Sequence, residues 1–177
     1  MLKVPASQPS FMVRKIWLRV ESALKQSIGS FKSIQTTCRG DAKNLTRQEL
    51  ENGAVRIVAV GGDGHLNEVL NGFIENDLPV KSDAALSFLM TGTGCDFQRS
   101  LGIPSNWQSA VENLKQAQVR QIDVGKVTFT KSDSTKQVRY FDNIASFGLS
   151  GAVAVSYTHL RAHETRGNVV CRLLLEK

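Results

Sequence analysis

Little in this sequence supports a covalent scaffold, a membrane span or a nucleic-acid surface. Of its 177 residues three are cysteine (Cys38, Cys95 and Cys171), odd in number and far apart, which argues against a disulfide framework or a zinc module. No run approaches the ~18 uncharged apolar residues of a spanning helix. The opening MLKVPASQPSFMVRK holds no apolar stretch followed by a small-residue cleavage site, so no secretory signal is expected. The expected compartment is the reducing cytoplasm. Neither sign of charge dominates: 22 basic and 16 acidic residues give +6. The richest basic stretch, Arg14, Lys15, Arg19 and Lys25, is too dilute for a nucleic-acid patch. That balance leans toward an anionic small molecule or a membrane surface, and no nucleic acid is expected.

What is present alternates. Over residues 13–28, Val13, Ile16, Trp17, Val20, Leu24 and Ile28 recur at helical spacing, with charges mostly opposite. A helix packed on a sheet is favoured over one lying on a membrane. Gly29 ends it. Residues 31–35 read as a short strand, and Asp41 as the cap of a helix over 42–52 that stops at Gly53. Residues 55–60 (VRIVAV) and 86–90 (LSFLM) are apolar runs that lead into glycines, as strands buried on both faces of a parallel sheet do. Helical spacing returns over 65–73 and 107–117. Residues 122–130 and 138–145 read as two strands joined by the polar tip KSDSTKQ. The expected fold class is α/β, with a Rossmann-like open, largely parallel sheet.

The most informative stretch is residues 58–72, VAVGGDGHLNEVLNG, where a buried strand enters three glycines within four residues and then a helix. Glycines permit positive φ and close ligand approach, and loop and helix-start amides converge on an anion. Two common phosphate loops do not fit. No lysine lies between Arg56 and Lys81 to complete a P-loop, and the third glycine of GxGxxG falls on Asn67. Asp63 is wasteful in a simple phosphate loop but suits a general base or a metal-linked carboxylate. The second loop, residues 90–97 (MTGTGCDF), adds Gly92, Gly94, Thr91, Thr93 and Asp96 after another buried strand. Loops at the carboxyl ends of strands share one crevice in open α/β sheets.

GGDGHLNEVLNG, GTGCDFQRSLGIP, IDVGKV and YFDNIASFGLSGAVA, in that order, resemble the diacylglycerol kinase catalytic domain family over about residues 13–154. That family includes bacterial lipid kinases and sphingosine kinases and is distantly similar to NAD kinases and phosphofructokinases. The resemblance implies an ATP-dependent lipid kinase that moves the γ-phosphate to a lipid hydroxyl, with Mg²⁺. Its acceptor would be a lipid alcohol such as diacylglycerol or a sphingoid base, met at a membrane from the cytoplasmic side. It places the nucleotide phosphates over Gly61, Gly62, Asp63, Gly64, His65, Leu66 and Asn67. It adds Thr36 before the second helix, and Gly92, Thr93, Gly94 and Asp96 in the second loop. Asp63 is implied as the proton acceptor and Asp96 as a shaper of the cleft.

The chain departs from the family at His65, where threonine is usual, and at Cys95, where asparagine is usual. An imidazole at 65 is expected to donate to phosphate and to change charge near neutral pH. VPASQPS stands where an Asn-Pro and glycine-rich turn is usual. The family's second, β-rich lobe is not expected in these residues, so the chain reads as the N-terminal lobe of a normally two-lobe protein, with nucleotide binding and little turnover. Alternatives are an NAD kinase-like enzyme and a non-catalytic nucleotide-binding domain. Residues 155–177 differ in character and resemble the translation of a sequencing adaptor, so the expected division is a nucleotide-binding domain over 1–154 and a foreign tail. There His159 and His163 are spaced as in a zinc helix, but HLRAH lacks the glutamate of HExxH and no metal site is expected.

Overall fold

The structure is a computed structural model that describes residues 11–91 and 94–145, with side chains from residue 17 onward. These residues fall into two compact units, divided between Ile122 and Asp123. In the first, strand β1 (Arg56–Gly61) pairs in parallel with β4 (Ala85–Met90), in a register running from Arg56 opposite Ala85 to Gly61 opposite Met90. Side chains alternate along a strand. Ile57 and Ala59 therefore turn to one face, where Leu66, Val69 and Phe73 of helix α3 (Asp63–Phe73) and Ala42 and Leu50 of α2 (Asp41–Glu51) cover them. Val58, Val60 and Leu89 turn to the other, under Trp17, Val20 and Leu24 of α1 (Phe11–Ile28) and Ala110, Val111 and Leu114 of α5 (Trp107–Gln116). Residues 57–60 are at most 1% exposed, so both faces are sealed. The parallel α/β arrangement expected from the apolar runs is the one found.

Helix α1 is a core helix. Its exposed side carries Leu18 and Arg19, whose guanidinium lies 5.8 Å from the Trp107 ring on α5. Helices α2 and α3 cross closely at Gly72, where a Cβ would come within 2.6 Å of the Lys43 carbonyl and the Thr46 Cβ. That glycine serves packing. The Asn106 side chain caps α5 by accepting from the Ser109 amide at 2.7 Å.

Three local expectations are corrected. Residues 31–35 form no strand: Phe31 anchors on the α1/α5 side and Ile34 on the α2/α3 side, and no described strand pairs with the backbone between. Asp41 is the first helical residue rather than the cap, because Gly40 (φ 89) takes the cap position. Between α3 and β4 the chain makes an unexpected hairpin, β2 (Ile74–Glu75) against β3 (Leu78–Pro79), turned by Asn76 (φ 49) and Asp77 (φ 66). Arg47 of α2 braces it, donating to the Ile74 carbonyl at 2.9 Å and pairing with Glu75.

The described part of the second unit is the expected hairpin. β5 (Gly125–Thr130) runs antiparallel to β6 (Lys136–Phe141), and Gly125 lies directly beneath the Phe141 ring. Its tip closes through the Lys131 amide on the Thr135 carbonyl at 2.9 Å, with Ser134 at φ 63. The motif from Ala145 onward and the adaptor-like tail lie, apart from Ala145 itself, outside the described residues.

Candidate functional site

Both glycine–acid loops leave the carboxyl ends of the paired strands. The Thr91 amide donates to the Gly61 carbonyl at 2.8 Å, so the loops start side by side. Gly62, extended at φ −95 and ψ −179, precedes α3 without a side-chain cap. The His65 and Leu66 amides both donate to the Gly62 carbonyl at 3.0 Å. The amides of Asp63 and Gly64 precede the first intrahelical bond and carry the positive end of the helix dipole.

The Asp63 carboxylate bridges the two loops. Its Oδ2 accepts the Cys95 amide at 2.9 Å, whereas its Oδ1 is buried with no donor among the described residues. A Cβ on Gly94 would stand 2.7 Å from that Oδ2, and one on Gly61 would stand 2.8 Å from Cβ and Cδ2 of His65. Close approach, not positive φ, is what demands glycine at both places. Gly64 differs again: no described atom lies within 4 Å of where its Cβ would be. Cys95 itself sits in the left-handed region (φ 54, ψ 37) as cap of α4 (Asp96–Ser100), a short helix that periodicity did not reveal.

The remaining expected residues divide by environment. His65 is 6% exposed, and burial pushes its imidazole down to about 4. The ring is therefore neutral at neutral pH, contrary to the expected charge change there, and its Nε2 is buried with no partner among the described residues. Leu66 is core. Asn67 is half-buried, and its carbonyl accepts from the Asn71 side chain at 2.8 Å. Asp96 is exposed and pairs with Arg99 in its own helix. Gly92 and Thr93 lie outside the described residues.

Thr36 is buried in the turn before α2. That turn is held by Asp41, whose carboxylate accepts from the Thr37 amide and hydroxyl, each at 2.7 Å, and from the Cys38 amide at 2.9 Å. The Cys38 thiol and then the Thr37 donors hold the Asp41 carboxyl below the usual range, and the same carboxylate raises the thiol. Glu68 of α3 accepts the Gly40 amide at 3.0 Å and so ties this turn to the helix that begins at Asp63. Sequence reasoning did not anticipate this tie or the Cys95 amide on Asp63. The acidic residue in NEV was the only visible signal for the first, and a backbone donor leaves none.

Residues 10–127 match the family model described as diacylglycerol kinase catalytic domain. The chain is 35% identical over 114 residues to a diacylglycerol kinase of Bacillus subtilis, a match covering 64% of this chain and 33% of that one. It is 33% identical over 109 residues to a diacylglycerol kinase of Staphylococcus saprophyticus, covering 62% and 32%. The matched segment thus spans about a third of the length of these relatives. A solved diacylglycerol kinase from Bacillus anthracis superposes with a TM-score of 0.58 at 25% identity, covering 72% of this chain and 44% of that one.

Proposed function

Because this chain belongs to the diacylglycerol kinase catalytic domain family, we propose that it is the nucleotide-binding lobe of an ATP-dependent lipid kinase. The observation that carries the reading is the Asp63 carboxylate, fixed through one oxygen by the Cys95 amide while the other, at the start of α3, is buried with no donor among the described residues. A carboxylate so held is oriented before its reaction partner arrives.

The residues fit a bound nucleotide. The amides of Asp63 and Gly64 offer fixed partial positive charge, and apart from its chain neighbours and its own helix backbone no described atom lies within 4 Å of a Cβ built at Gly64. When bound, ATP supplies the phosphoryl group and Mg²⁺ offsets its charge. The described residues contain no cluster of three acidic, histidine or cysteine side chains to hold that metal.

The chain's own residues then act as follows. Asp63 Oδ1 would accept the proton of the lipid hydroxyl as that oxygen takes the γ-phosphoryl group and ADP leaves, while Oδ2 stays on the Cys95 amide. His65, neutral, fills the slot against Gly61 and fixes the first turn of α3 without adding charge. Leu66 anchors that turn in the core. Thr36 contributes from the turn before α2, and Gly92, Thr93 and Gly94 from the second loop. The acceptor is a lipid alcohol such as diacylglycerol or a sphingoid base, reached at the membrane surface by peripheral contact. No described helix is long and apolar enough to cross a membrane.

The test offers γ-labelled ATP and Mg²⁺ to the full gene product, with diacylglycerol vesicles and NAD in competition. Label in the lipid is expected. Label in NAD would establish the NAD kinase-like alternative, and nucleotide binding with no transfer to either would establish a non-catalytic domain.

A further inference from the structure

Glu68 lies on the helix that Asp63 begins, yet its carboxylate is spent on a different loop. Its Oε2 accepts the amide of Gly40 at 3.0 Å, across 28 residues of sequence. Gly40 is in the left-handed region (φ 89), so its amide is aimed by a backbone conformation that other residues rarely adopt. The charge of Glu68 also contributes to raising the Cys38 thiol, which places it under the same turn. Within itself the turn is braced by Asp41, through Thr37 and Cys38. Glu68 fastens it to α3 through the Gly40 amide.

We propose that Glu68 is a positioning residue: it locks the turn bearing Thr36 to α3, so that the two halves of the nucleotide site are held at one fixed spacing. This rests on the nucleotide-binding reading above. It assigns Glu68 no contact with the nucleotide and no part in proton transfer. The gain is in preorganisation. A turn that must be ordered on binding lowers affinity, and a turn already tied does not.

The experiment compares wild type, Glu68→Ala and Glu68→Gln in the 177-residue chain, with Mg²⁺ and a fluorescent ATP analogue as probe. Glutamine keeps an acceptor oxygen at the same reach and alanine does not. Loss of one such bond weakens binding about fivefold. The expected pattern is that loss in the alanine variant with a melting temperature lower by about 2–4 °C, and near-wild-type affinity and melting in the glutamine variant. Hydrogen exchange without nucleotide gives a second reading: the peptide spanning residues 36–41 should exchange about tenfold faster in Glu68→Ala alone, with α3 unchanged. Equal affinity and equal exchange in the alanine variant would overturn the proposal. So would faster exchange spread throughout α2 and α3, which would mark a general loss of stability. If the wild type binds no nucleotide, the functional reading fails by itself, and the exchange pattern still decides whether Glu68 ties the turn.

Discussion

Replacing Gly64 by alanine should raise the stability of the free protein and damage nucleotide binding together. Gly64 is the second residue of α3, has no positive φ, and has no described atom within 4 Å of an added Cβ. Alanine in place of glycine within a helix gains about 0.5–1 kcal/mol, mostly by restricting the unfolded chain. At a first-turn position the lower figure applies, and about 0.5 kcal/mol raises the melting temperature of a chain this size by about 1–2 °C. The same methyl would enter the first turn of α3, whose Asp63 and Gly64 amides precede the first intrahelical bond and where a phosphate is proposed to sit. Losing one charge-assisted contact there costs about 1.5–3 kcal/mol, or roughly 10- to 100-fold in affinity. Thermal melts without ligand and fluorescence titration with Mg-ATP measure the two effects separately. A lower melting temperature would mean the space beside Gly64 is already filled. Unchanged ATP affinity in the variant would show that phosphate does not bind at this turn.

Gly94→Ala should act oppositely, since its Cβ would stand 2.7 Å from Asp63 Oδ2. Expelling the carboxylate breaks the Cys95 bond, and a loss of about 2 kcal/mol should appear as a melting temperature lower by about 4–8 °C; an unchanged melt would refute the contact. His65, with its folded value near 4 against an ordinary 6.5, is neutral when folded and takes up a proton on unfolding between those values. Its contribution is present above pH 6.5 and is lost as pH falls toward 4, with on the order of 2 kcal/mol gone by pH 5. Urea unfolding at pH 7 and pH 5 should show that drop in the wild type and lack it in His65→Thr. Cys95→Asn should raise the urea midpoint by about 0.5–1 kcal/mol equivalent, because asparagine tolerates the left-handed backbone found there (φ 54) and keeps the same amide on Asp63. A lower midpoint would mean the thiol's packing outweighs the backbone strain.

The central fold could be read from the sequence because burial on both faces leaves a plain mark. Apart from Arg56, VRIVAV and LSFLM are mainly apolar, without alternation, and the structure buries residues 57–60, Leu89 and Met90 between α1/α5 and α2/α3. The helices on those faces show their spacing for the same reason. Phe31 and Ile34 misled because they anchor a connection on opposite sides of the sheet, which apolar pattern alone does not separate from a strand. Helix α4 and the Ile74–Pro79 hairpin were too short to carry a period. At the site, GGDG and GTGCD announced themselves by glycine beside acid. Their glycines nevertheless do different work: Gly61 admits the His65 ring, Gly94 admits the Asp63 carboxylate, and Gly64 leaves space. Which glycine does which depends on atoms 4 and 31 residues away, as with His65 beside Gly61 and Gly94 beside Asp63. Composition had no access to that. The neutral state of His65 was hidden likewise, since it follows from burial and not from residue type.

Label transfer by the Asp63→Asn variant of the full gene product tests the proposed chemistry most directly. Asparagine keeps an oxygen for the Cys95 amide and preserves the shape of the loop, but it cannot accept a proton at the second atom. With γ-labelled ATP, Mg²⁺ and diacylglycerol vesicles, the wild type should label the lipid. The variant should bind ATP with near-wild-type affinity and transfer at least ~100-fold more slowly. Wild-type transfer by Asp63→Asn would contradict the assignment of Asp63 as the base.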